Sequence, residues 1–213
     1  MIVELRQYTL HPGRRDDLIT LFDREFVETQ EATGMRVIGQ FRDLDDPDRF
    51  VWLRSFPDMP SRAASLNAFY TGPTWRTHRA EANATMIDSD DVLLLRPAAP
   101  SASAVAGSAD PVSSGSLFLA TLYFGDRPFD ETFAELVAAR AAESGVVPLA
   151  VLTTEYAENT FPALPVRAGE HVLVWLARFA GEDAVADHVK RFPRLADSTR
   201  HLRLSPTAGS RLR

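Results

Sequence analysis

The hexapeptide Val51-Trp52-Leu53-Arg54-Ser55-Phe56 returns near the C-terminus as Val174-Trp175-Leu176-Ala177-Arg178-Phe179, with valine, tryptophan, leucine and phenylalanine at matching places. A strand pattern that recurs in both halves of a chain implies a duplicated architecture. The first copy closes a hairpin. Val37, Gly39 and Phe41 alternate with Ile38 and Gln40, polar residues 43–48 turn the chain, and Phe50, Trp52, Arg54 and Phe56 resume the period of two. At 213 residues there is room for one large domain or two of roughly 100.

The other elements fall into order around that hairpin. Residues 3–10 alternate as a first strand, and residues 16–32 place Leu18, Leu21, Phe22 and Phe26 at helical spacing before a stop at Gly34. Asp58 is suited to cap a second helix with Pro60 in its first turn. Gly72-Pro73 interrupts that helix, which resumes with Trp75, His78 and Ala82 on one side. Residues 88–96 complete the order β-α-β-β-α-β, the ferredoxin-like arrangement. A less regular repeat follows: strands at 117–124, 146–156, 171–179 and 202–212, a helix capped by Asp126, and a second helix from Glu182. Ala, Ser, Pro and Gly dominate the stretch between the halves. The chain therefore reads as α+β, with ferredoxin-like domains at 1–97 and 116–213 joined by a flexible linker at 98–115, long enough to span on the order of 25 Å.

Composition removes several functions. A net charge of −6, with basic residues dispersed among acids, gives no basis for binding phosphate backbones, so nucleic acid is not an expected partner. Without cysteine there is neither disulfide nor thiolate chemistry. No apolar run reaches transmembrane length and residues 1–10 do not read as a signal peptide, so the expectation is a cytoplasmic protein that does not engage membranes.

Four blocks of the first half carry a family resemblance: Glu4-Leu5-Arg6-Gln7-Tyr8-Thr9-Leu10-His11-Pro12-Gly13, Gly34-Met35-Arg36-Val37-Ile38-Gly39-Gln40-Phe41, Arg49 to Phe56, and Trp75-Arg76-Thr77-His78-Arg79. In order and spacing they resemble the NIPSNAP family over residues 1–97; the second half is similar only through its VWL strand and element order. The resemblance implies the dimeric α+β barrel superfamily, in which two ferredoxin-like units pack sheet against sheet. Both units here would lie within one chain, and further homo-oligomerisation is open.

Strand alternation divides the first sheet into an aliphatic face (Val3, Leu5, Val37, Phe41, Val51, Leu53, Leu93) and a face too aromatic and charged for solvent (Arg6, Tyr8, Arg36, Gln40, Trp52, Arg54, Phe56). The first is expected beneath the helices, the second against the other sheet, where Trp52 would approach Trp175. Alternatively both tryptophans are simple core packing, with Arg6 and Arg54 paired to Glu4 and neighbouring acids.

His78 is the candidate catalytic group. Its pKa lies near neutrality, and Trp75 on the same helix face offers a ring to a planar ligand. Tyr70, Gln40, Arg54, Tyr8 and Asp88 are candidate ligand-binding residues around it; alternatively His78 is a structural histidine at the sheet edge. The remaining histidines show no metal-ligand spacing, and no nucleotide-binding motif is present. Three functions follow: an enzyme without an organic cofactor, acting on an apolar or aromatic molecule as isomerase, cyclase or oxygenase; a non-catalytic binding or scaffolding protein; or a haem-binding barrel, with haem the one cofactor considered.

Overall fold

A computed structural model of the chain describes residues 1–98, 116–192, 195–196 and 198–212. Except for Ala98, the expected linker lies outside the described residues. Eight strands form one closed barrel in the order β1-β3-β2-β8-β5-β7-β6-β4. They are β1 (Ile2–Leu10), β2 (Arg36–Asp43), β3 (Arg49–Phe56), β4 (Met86–Pro97), β5 (Leu117–Gly125), β6 (Ala150–Thr154), β7 (His171–Phe179) and β8 (Ser198–Pro206). Helices cover the outside: α1 (Arg15–Leu21) continues through a π-helical turn at Phe22–Phe26 into α2 (Val27–Glu31), and α3 (Met59–Tyr70), α4 (Pro73–Asn83), α5 (Glu131–Glu143) and α6 (Glu182–Arg191) follow. None of the described helices is long and apolar enough to cross a membrane.

Within the first half the neighbours run β4-β1-β3-β2, within the second β8-β5-β7-β6. Two short seams close the barrel between the halves. At one, Phe41, Arg42 and Asp43 of β2 pair with Pro206, Ser205 and Leu204 of β8; at the other, Leu95, Arg96 and Pro97 of β4 pair with Thr154, Thr153 and Leu152 of β6. Side chains from both halves fill the interior: Val3, Leu5, Val51, Leu53 and Leu93 meet Leu122, Leu152, Val174 and Leu202, and the Phe41 ring lies 5.3 Å from Phe118.

This arrangement reverses the expected faces. The aliphatic face, placed beneath the helices from sequence, lines the barrel interior, whereas Tyr8, Trp52 and Phe56 pack under the first-half helices. Trp52 and Trp175 consequently do not meet. Each is buried in a separate core outside the barrel, on its own half. Alternation identifies two faces but not which one turns inward, and small aliphatic side chains fill a narrow barrel better than indoles. A register shift between Val37 and Gly39 further splits β2, leaving Ile38 and Phe41 inside and Val37 under the helices. Gly39 is required there, because a Cβ would lie 2.8 Å from the Phe41 ring.

Local signals account for most element boundaries. Asp58 caps α3 by accepting a hydrogen bond from the Ser61 amide at 2.7 Å, with proline in the first turn. In the second half the cap of α5 is Asp130, which accepts from the Phe133 amide at 2.9 Å, rather than Asp126. The second strand of that half is confined to β6, shorter than expected, and the last strand begins at Ser198 and ends at Pro206, where proline has no amide to donate.

Candidate functional site

The outer face of the first-half sheet carries a charged centre beneath the helices. Glu4 of β1 is completely buried and accepts from three arginines: Arg6 Nη1 at 2.8 Å and Arg54 Nε at 2.7 Å reach Oε2, and Arg62 Nε at 2.6 Å reaches Oε1. Antiparallel pairing makes Glu4 the direct neighbour of Arg54 on β3, strand periodicity places Arg6 on the same face, and the first turn of α3 brings Arg62 down from above. Arg6 Nε donates to the Tyr8 hydroxyl at 3.0 Å, and Arg54 Nη1 to Gln30 Oε1 at 3.0 Å. The guanidinium carbons of Arg6 and Arg54 lie over the Trp52 ring at 5.6 and 5.1 Å, a cation–π arrangement.

Burial alone would raise the Glu4 pKa, but Arg54, Arg6 and Arg62 together outweigh it and hold the carboxyl well below the usual carboxylate range. Burial pushes the Tyr8 hydroxyl above its ordinary value, with Arg6 only partly offsetting it, so Tyr8 keeps its proton and remains a donor. Tyr70 is near enough to act electrostatically on both Arg6 and Tyr8.

Aromatic side chains form one wall of this region. Trp75 lies 4.8 Å from Tyr70, 5.7 Å from Phe26 and 5.9 Å from Phe69. The connection between β6 and β7, contributed by the second half, crosses over this wall. Phe161 stacks on Tyr70 at 5.8 Å, and Asn159 Oδ1 accepts from Arg62 Nη1 at 3.0 Å. That Asn159 lies over the first-half helices was not readable from a stretch lacking periodicity.

The structure thus brings Tyr8, Arg54, Tyr70 and Trp75 to one side of the first sheet. The other sequence candidates lie apart from the charged centre. Gln40 is buried against the first helix, donating to Asp23 Oδ1 at 3.1 Å. Asp88 is exposed and accepts from the Asp90 amide. His78 sits at the edge of the aromatic group with a quarter of its side chain exposed, 3.5 Å from a Glu25 carboxylate oxygen and 3.6 Å from one of Glu81. Among the described residues no group of three or more His, Asp and Glu side chains is placed to hold a metal ion.

Sequence reading missed Arg62, whose only signal is a basic residue in the first turn of a helix, and a cavity in the second half. That cavity, about 320 Å³, lies between α6 and the β5–β8 pair and is bordered by Thr121, Tyr123, His188, Phe192, Thr199 and His201. Thr121 Oγ1 and His201 Nδ1 are 3.1 Å apart, and the His188 ring stacks on Trp175 at 5.1 Å. Burial lowers the pKa of both histidines, with His201 adding to the effect at His188. None of the residues singled out from sequence borders it.

Fold and site together define a closed α+β barrel with a buried arginine-rich centre beneath one set of helices. Residues 3–102 match the NIPSNAP family, and this half of the chain is a NIPSNAP domain. Among solved structures, a NIPSNAP-like domain protein from Burkholderia xenovorans is 25% identical over 52% of this chain and 89% of its own, with a TM-score of 0.42. An uncharacterised NIPSNAP domain protein from the same organism is 21% identical over 46% of this chain and 96% of its own, TM-score 0.43. A protein from Lactobacillus acidophilus, provisionally named a monooxygenase, spans both halves: 14% identity over 98% of this chain and 97% of its own, TM-score 0.59. At that identity the likeness is one of fold. No curated protein matches the chain.

Proposed function

We propose that the protein binds a small, largely apolar or aromatic molecule on the helix side of the first-half sheet, and that each half is a ferredoxin-like unit, the two forming a fused α+β barrel. The strand orders β4-β1-β3-β2 and β8-β5-β7-β6 support the second statement, since both halves use the same relative positions. The first is carried by the composite aromatic wall. Trp75 and Tyr70 come from one half and Phe161 from the other, and Tyr70 links this wall to the charged centre, near enough to act electrostatically on Tyr8 and Arg6. A simple core would not need a phenol and three guanidiniums beside these rings. Protonated Tyr8, already accepting from Arg6, is suited to donate to a ligand oxygen on which negative charge develops, as in isomerisation, cyclisation or cofactor-independent oxygenation of an enolisable substrate.

A second reading places the ligand in the cavity lined by His188 and His201, and the space there favours it. Ligand-observed NMR with a panel of phenols and hydroxyquinolines separates the two. Saturation transfer that is lost in Tyr70→Ala and kept in His201→Ala supports the first-half site; the opposite pattern moves the site to the second half. Binding without conversion of any hit, followed with an oxygen electrode and by absorbance, would favour a non-catalytic binding protein.

A further inference from the structure

We propose that the arginine centre recognises an anionic group, a carboxylate or an enolate, on that small molecule, with Arg54 Nη2 and Arg62 Nη2 as the donors. The location rests on the first-half reading above; the charge of the ligand goes beyond it.

Arg6, Arg54 and Arg62 are all buried, and arginine does not deprotonate in proteins. Among the described residues their ion-pair partner is Glu4 alone, so three positive charges face one negative charge. Both Glu4 oxygens are already engaged. The other acceptors are neutral: the Tyr8 hydroxyl, Gln30 Oε1, Asn159 Oδ1, the Met35 Sδ at 3.8 Å and, at 3.5 Å, the Ser89 carbonyl. Arg54 Nη2 and Arg62 Nη2 are buried with no hydrogen-bond partner.

Two unopposed buried charges and two unsatisfied donors are costly in a protein interior. Neutral groups would satisfy the donors but leave the charge uncompensated; an anion answers both. Glu4 holds two of the guanidiniums by Nε, leaving an Nη2 on each for a second acceptor. The β6–β7 connection is tied to the same centre. Asn159 accepts from Arg62 Nη1 and from the Phe161 amide, and donates to the Leu164 carbonyl, so charge at Arg62 is linked to the segment that carries Phe161.

The test uses the intact chain at constant ionic strength with three probes: benzoate, its neutral analogue benzamide, and acetate. Benzoate should raise the melting temperature saturably by several degrees and shift the side-chain 15Nε resonances of Arg54 and Arg62, with acetate weaker and benzamide without effect. Arg62→Gln should abolish the benzoate response. Should that variant not fold, the wild-type arginine resonances decide alone. Equal binding of benzamide and benzoate at Tyr70 and Trp75 would overturn the anionic inference and leave the first-half site standing. If neither probe moves the arginine, Tyr70 or Trp75 resonances, both readings fail.

Discussion

Glu4 accepts from three arginines at once, so its removal is felt by all of them. Glu4→Gln keeps the shape and strands the guanidiniums without a counter-charge, and breaking such a buried set costs about 3–5 kcal/mol; a urea titration should show a loss of that size. The pH dependence has a definite sign. The Glu4 pKa is depressed in the folded protein from an ordinary 4.5, so its contribution is complete above that value and is lost progressively as the pH falls below it toward the lower folded value. The stability gap between wild type and Glu4→Gln should be flat from pH 7 to about 5 and narrow in more acidic solution. A gap unchanged down to pH 2.5 would contradict the assignment. Trp52 allows a second comparison. It is 2% exposed and lies 4.7 Å from Phe22, so Trp52→Ala should cost about 3–5 kcal/mol, whereas the half-buried Trp75 should cost less. Urea midpoints for the two variants check the order.

At the scale of elements, sequence legibility followed the strength of the local signal. The hairpin, β7 and α6 were readable from their period, and α3 because period, the Asp58 cap and the Gly72-Pro73 breaker agreed. Asp126 and Asp130 compete as caps four residues apart, and choosing between them requires the tertiary position of Phe133. Capping predicts that Asp58→Ala and Asp130→Ala each cost about 1 kcal/mol while Asp126→Ala changes little, measurable by thermal melts. The site was partly legible on the same terms. Pairing of Arg6 and Arg54 with Glu4 was one of two alternatives, and Tyr8, Tyr70 and Trp75 were singled out for their types. What could not be read was any contact between the halves, such as Asn159 with Arg62, or which sheet face turned inward; both depend on how the barrel closes.

For the whole molecule, closure rests on two short seams and a shared interior. Separating the halves would expose Phe41, Leu53 and Leu93 on one side and Phe118, Leu122 and Val174 on the other, more apolar surface than a monomer tolerates. Residues 1–97 expressed alone should therefore self-associate or aggregate. After proteolytic cleavage within 98–115 the two fragments should still co-elute from a sizing column. Separation under native conditions would show that covalent linkage, not packing, holds the barrel together.

The crossing of the β6–β7 connection onto the first half has a consequence for how such a barrel changes over time. In a homodimer every substitution appears twice, and a residue that improves one cleft must be tolerated in its twin. A single chain is free of that constraint. Here one half carries arginines around a carboxylate, while the other places two histidines beside a cavity between α6 and the β5–β8 pair. A segment of the second half has become part of the first half's surroundings with no reciprocal contribution required. If the barrel is the fusion of two units proposed above, each half is free to specialise without the other having to follow.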